Sequence, residues 1–245
     1  MKAAVIRGTQ QIRVEDVPTP EPGPNQVLVK IKYSAICGSD VHRFQYGMMN
    51  SGSIMGHEYI GEVVQSGADV TLLNEGDRVV SGGGESPEGV PARSAGDRYS
   101  ARTMGLKTPP QGGFAEYIVL DEWRPLVIPK NVSDELAVLA EPASIAVHAV
   151  RRSKFSIGDS VVVMGAGPIG LLTMQVLNAA GAGAVYVSEP ATARADAARV
   201  LGAAIVMNPT DEDVVSKILE LSGGPGVPVA FDAAAARPTL QQGLE

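Results

Sequence analysis

The run Ser160-Val161-Val162-Val163-Met164, followed at once by Gly165-Ala166-Gly167-Pro168-Ile169-Gly170, is the feature that most restricts how this chain can fold. A short apolar β-branched run reads as a buried strand, and the residues from Leu171 to Ala180 read as a helix. A strand, a G-x-G-x-x-G turn and a helix in direct succession form the first unit of a doubly wound parallel sheet. The first two glycines permit a tight turn and close backbone approach, and the third permits helix-strand packing. The free N–H groups and dipole at the helix N-terminus favour an anion such as pyrophosphate. Pro168 removes no helical hydrogen bond at that position. Glu189, 19 positions after Gly170 and at the end of the strand-like Ala184-Val185-Tyr186-Val187-Ser188, is placed to accept hydrogen bonds from an adenosine ribose. The expected cofactor is NAD, because a 2′-phosphate would set a second anion against that carboxylate.

Upstream of Pro142 the character differs. Ala3–Val5, Val27–Ile31, Ile60–Gln65, Arg78–Ser81 and Phe114–Val119 are short β-rich runs, separated by turn formers such as Pro18-Thr19-Pro20-Glu21-Pro22-Gly23-Pro24 and Asn74-Glu75-Gly76-Asp77. They predict an antiparallel, barrel-like domain over 1–150, and the parallel-sheet domain then occupies 151–245. A helical pattern after Pro142 runs through Ser153. Further parallel strands are expected near Ile205 and Val229. That makes four where a full doubly wound domain has six, so the second half of the sheet is expected to be incomplete.

Cys37, His57 and Glu141 offer one thiolate, one imidazole and one carboxylate, a set able to supply three protein ligands to a catalytic zinc with a fourth position open. Pro142 suits the first turn of a helix and would fix the backbone behind Glu141. Asp40 is a candidate acceptor for the His57 ring N–H, setting its tautomer. His148, inside an apolar helical run, is expected in a core or interface. Phe44, Tyr46, Met48 and Met49 either line a substrate pocket or pack in the core.

At Cys37-Gly38-Ser39-Asp40-Val41-His42 and at Gly56-His57-Glu58-Tyr59-Ile60-Gly61-Glu62-Val63-Val64-Gln65-Ser66-Gly67 the chain closely resembles the zinc-dependent medium-chain alcohol dehydrogenases. Glu141-Pro142, Ser144 and the stretch from His148 to Arg152 resemble the polyol, threonine and butanediol dehydrogenase branch, in which a glutamate replaces the second cysteine ligand. The resemblance covers Met1 to about Asp232. It implies an α/β protein with an N-terminal GroES-like catalytic domain and a Rossmann domain, transferring hydride between NAD and a secondary alcohol, diol or polyol. It further implies Ser39 and His42 as a proton relay, Glu58 close to the metal and able to coordinate in place of Glu141, and Arg194 beside the adenosine ribose. In the family, further residues complete the cofactor sheet and supply a subunit contact. A non-catalytic module that binds zinc and adenine nucleotide, or a zinc-free quinone or enoyl reductase of the same fold, are the alternatives.

Charge and cysteine usage limit the partners. Lysine plus arginine is 20 and aspartate plus glutamate is 27, a net charge of −7, which gives no electrostatic footprint for nucleic acid or an anionic membrane. Met1-Lys2-Ala3-Ala4-Val5-Ile6-Arg7 carries no signal-peptide core, and no stretch approaches the roughly 18 apolar residues of a span. A cytoplasmic location is expected. The single cysteine rules out a four-cysteine structural zinc lobe in the glycine-rich segment from Ser81 to Gly105, so one zinc per chain is expected. A parallel edge strand left open would be an aggregation hazard unless another chain covers it, and a homo-oligomer is expected if it is covered.

Overall fold

The computed structural model describes residues 1–82 and 112–245. Most of the glycine-rich segment, residues 83–105, lies outside the described residues. The chain divides into two compact units, Met1–Glu141 and Pro142–Glu245. The sequence placed the border near 150, inside the helix Ala140–Arg152 that carries the chain from one unit to the other.

In the first unit, strands β1 (Lys2–Gly8) and β2 (Gln11–Asp16) form an antiparallel hairpin. A five-stranded antiparallel sheet contains β3 (Gln26–Ala35), β4 (Glu58–Ser66), β5 (Arg78–Val80), β6 (Tyr117–Asp121) and β7 (Leu126–Val127) in the order β6-β3-β4-β5-β7. Its core gathers Val27, Val29, Tyr59, Val63, Val79, Ile118 and Leu120, contributed by alternate residues of the central strands. Among the described residues the unit also contains two short helices, α1 (Gly38–Tyr46) and α2 (Asp134–Ala137). Strand β6 starts three residues later than Phe114, since Phe114 and Gly113 pair instead with Met55 and Gly56.

The second unit begins within α3 (Ala140–Arg152) and alternates β8 (Ser160–Met164), α4 (Pro168–Ala179), β9 (Ala184–Ser188), α5 (Thr192–Val200), β10 (Ile205–Met207), α6 (Val214–Ser222), β11 (Val229–Asp232) and α7 (Arg237–Gln242). The four strands are parallel in the order β10-β9-β8-β11. Both faces of the sheet are covered: Val161, Val163, Val185 and Val187 pack with Met174 and Leu177. Val162, Met164 and Tyr186 pack on the other face with Val214 and Ile218. This double burial is why β8 and β9 read as continuous apolar runs. Strand order reverses between β8 and β11, and the glycine-rich turn follows β8 at that switch point.

Candidate active site

Strand pairing assembles the first cluster. Ala35 at the end of β3 pairs with Glu58 at the start of β4, so the residues just beyond, Cys37 and His57, emerge at the same end of the sheet. Gly56 turns the chain into β4 with φ +99°, a left-handed conformation that disfavours side chains. A Cβ there would also lie 2.8 Å from the Phe114 backbone nitrogen. The glycine before the histidine is therefore required by backbone geometry.

Cys37 is the N-cap of α1, and Asp40, three residues on, accepts its backbone N–H through Oδ2 at 3.1 Å. That reciprocal bond locks the first turn of the helix and buries Asp40. The other oxygen, Oδ1, lies 3.5 Å from His57 Nδ1 and has no hydrogen-bond partner among the described residues. The ligand atoms of Cys37, His57 and Glu58 all lie within 4.8 Å of one another. His57 and Glu58 are buried and Cys37 is half-buried. Burial opposes a charged imidazole, but the Asp40 carboxylate and the Cys37 sulfur beside it outweigh that and hold the His57 pKa up to about 10. Glu141, half-buried in the first turn of α3, is near enough to feel the same groups. Burial pushes its carboxyl up, His57 opposes this, and Glu58 and Asp40 add to it.

The donor set suits zinc: one soft thiolate, one imidazole and carboxylate oxygen. Asp40 Oδ1, buried and 3.5 Å from Nδ1, stands where a metal-binding histidine ordinarily has its outer acceptor, an arrangement that would leave Nε2 free for an ion. Among the described residues the carboxylate grouped with Cys37 and His57 is that of Glu58, and Glu141, which the sequence analysis puts first as third ligand, stands outside that group.

Ser39 and His42 lie three residues apart on α1. Ser39 is half-buried with its hydroxyl 3.5 Å from Arg43 Nη1, and His42 is exposed, its ring edge-on to Tyr46 at 5.8 Å. Helix α1 itself was not anticipated, because its nine residues carry only one buried side chain, Asp40. Tyr46 and Met48 are mostly exposed, which removes them from the core. His148 is on α3 as expected but exposed, so a core role for it falls away; the apolar residues flanking it face the other way, with Ala146 and Val150 buried.

In the second unit Gly167 is the N-cap of α4 and Pro168 its first residue; Ile169 is partly exposed and Gly170 buried. Gly165, at φ +95°, makes the tight turn. Glu189 closes β9 where expected but is not an open, solvated carboxylate: it is 4 % exposed. Oε2 accepts the Ala166 N–H at 2.7 Å and Oε1 the Ala191 N–H at 2.9 Å. Arg194 is exposed in the first turn of α5.

Family models match stretches of both units. The alcohol dehydrogenase GroES-like domain matches residues 23–130, and the zinc-binding dehydrogenase domain matches residues 168–245. The chain is 37% identical over 260 residues to the (R,R)-butanediol dehydrogenase of Bacillus subtilis, covering 100% of this chain and 74% of that protein. It is 34% identical over 252 residues to the sorbitol dehydrogenase of the same organism, covering 100% and 71%. The crystal structure of 2R,3R-butanediol dehydrogenase from Bacillus subtilis superposes with a TM-score of 0.84 at 35% identity, covering 99% of this chain and 73% of that one. From these matches and the two motif clusters, the chain belongs to the zinc-dependent medium-chain alcohol dehydrogenase family, in its polyol, threonine and butanediol branch, and is an oxidoreductase of alcohols.

Proposed function

We propose that the chain oxidises secondary alcohols bearing a neighbouring hydroxyl, vicinal diols and polyols above all, with NAD as hydride acceptor and one zinc per chain. The observation that carries this reading is the convergence of Cys37, His57 and Glu58 within 4.8 Å, with Asp40 Oδ1 set against His57 Nδ1. Cys37, His57 and Glu58 would hold the ion, and Glu141 is the nearby carboxylate able to exchange with Glu58. A bound zinc supplies Lewis acidity that brings the alcohol pKa towards neutrality, and the nicotinamide accepts the hydride. Ser39 would take the alcohol proton and His42, an exposed imidazole, would pass it to solvent.

Gly165, Gly167, Pro168, Ile169 and Gly170 would cradle the pyrophosphate, with Glu189 and Arg194 at the adenosine ribose. The buried negative charge of Glu189 favours NAD over NADP. Among the described residues no helix is long and apolar enough to cross a membrane. A cytoplasmic setting fits a site that needs its only cysteine reduced.

The test is a panel of 2,3-diols, polyols, 3-hydroxy amino acids and primary alcohols, each assayed with NAD and with NADP. The expected ranking places a diol, polyol or hydroxy amino acid first, with kcat/KM for NAD at least about tenfold above that for NADP, a discrimination of about 1.4 kcal/mol. Primary alcohols ranking first would refute the substrate class, and a preference for NADP would refute the role of Glu189.

A further inference from the structure

Glu189 turns its side chain back towards the loop after β8. The turn is held to the end of β9 at two successive amides: Gly165 N–H donates to the Ser188 carbonyl at 2.8 Å, and Ala166 N–H donates to Glu189 Oε2 at 2.7 Å. The second is a charge-assisted bond to a carboxylate that also accepts the Ala191 N–H, ahead of α5. Ala166 and Glu189 are both buried, so removing the carboxylate would leave a donor without ready access to water.

We propose that Glu189 is a positioning residue for the glycine-rich turn: the carboxylate that sets the charge facing the adenosine ribose also holds the backbone that receives the pyrophosphate. This rests on the reading of that turn as the dinucleotide site. A carboxylate has about four lone-pair sites, and two are occupied here, leaving capacity for a ribose hydroxyl. Discrimination against NADP and tight pyrophosphate binding are then coupled through one side chain. Neutralising Glu189 does not convert the protein to NADP; it weakens both cofactors.

The experiment compares the 245-residue chain with Glu189→Ala and Glu189→Gln. Hydrogen exchange of the peptide spanning 162–171 is followed without nucleotide, and calorimetry measures binding of adenosine and of ADP. Glu189→Ala is expected to speed exchange in the turn about tenfold and to weaken ADP about tenfold more than adenosine, as loss of a buried charge-assisted bond implies. Glu189→Gln keeps one acceptor oxygen, folds with the same side-chain volume and falls between. Wild-type exchange rates in both variants would overturn the proposal. Loss of adenosine and ADP by the same factor would do so too, because a carboxylate touching only the ribose gives that result. If wild type binds neither ligand while exchange still responds to Glu189→Ala, the dinucleotide reading itself has failed and the coupling with it, leaving Glu189 a structural tie.

Discussion

Two glycines of the turn after β8 should respond oppositely to the same substitution. Gly170 faces the Gly165 carbonyl: a Cβ there would sit 2.9 Å from the Gly165 carbonyl carbon and closer still to its oxygen. Both atoms are backbone, so relief requires α4 to move away from β8. Overpacking of this kind costs typically 1–3 kcal/mol, with rigid backbone at the upper end, about 3 kcal/mol. Alanine in a helix returns about 1 kcal/mol relative to glycine. Gly170→Ala should therefore lose about 2 kcal/mol, which lowers Tm by roughly 4–8 °C for a chain of this size. Gly167 has φ −69° and open space where a Cβ would project, with no heavy atom within 4 Å. Gly167→Ala should leave stability within about 0.5 kcal/mol of wild type. That open space is where pyrophosphate would approach, so the same substitution should weaken NAD at least about tenfold through steric exclusion. Thermal unfolding and NADH fluorescence titration on both variants supply the readouts. A Gly167→Ala protein that binds NADH like wild type, or a Gly170→Ala protein as stable as wild type, would refute this account of the turn.

Asp40→Asn should lower zinc affinity by about 10–100-fold, the usual effect of removing the acceptor behind a metal-binding histidine, read by competition with a chelator; unchanged affinity would separate Asp40 from the metal centre. Asp134 accepts from Arg78 Nε at 2.8 Å, tying α2 to β5, and Arg78 Nη2 adds a bond to the Val132 carbonyl at 2.7 Å. Its side chain is only 22% exposed, so Asp134→Asn should cost about 1 kcal/mol in urea unfolding. Arg78 holds the Asp134 carboxyl below its ordinary value, so this stabilisation is complete above the unfolded pKa of about 3.9 and fades as pH falls through the lower folded value. The gap between wild type and Asp134→Asn should be constant from about pH 5 to 7 and narrow below about pH 4; a gap that widens on acidification would contradict the assignment.

Both layers of the second unit were legible because their signals are local. The runs at Val161 and Val185 are apolar on both faces, and the glycines between β8 and α4 have backbone reasons to be there. In the first unit the longer strands were legible, but β2 and β7 were not. Strand β2 is mostly exposed and β7 has two residues, so neither carries the alternation that marks a half-buried strand. The candidate metal cluster was visible as residue types, since Cys37 and His57 sit in recognisable segments. Which carboxylate completes it depends on the register Ala35 to Glu58 and on the turn at Gly56, and strand register is a tertiary property. The inward turn of Glu189 was hidden for a similar reason. Its partners, Ala166 and Ala191, offer only backbone N–H groups, which have no signature in sequence.

Metal content measured together with NAD-dependent turnover, on the 245-residue chain and on Cys37→Ser, tests the central claim most directly. The account predicts about one zinc per chain and oxidation of a diol, polyol or hydroxy amino acid in the wild type, as one three-ligand site requires. Both should be lost in Cys37→Ser, with the fold retained by circular dichroism. Turnover that survives in Cys37→Ser without zinc would contradict it.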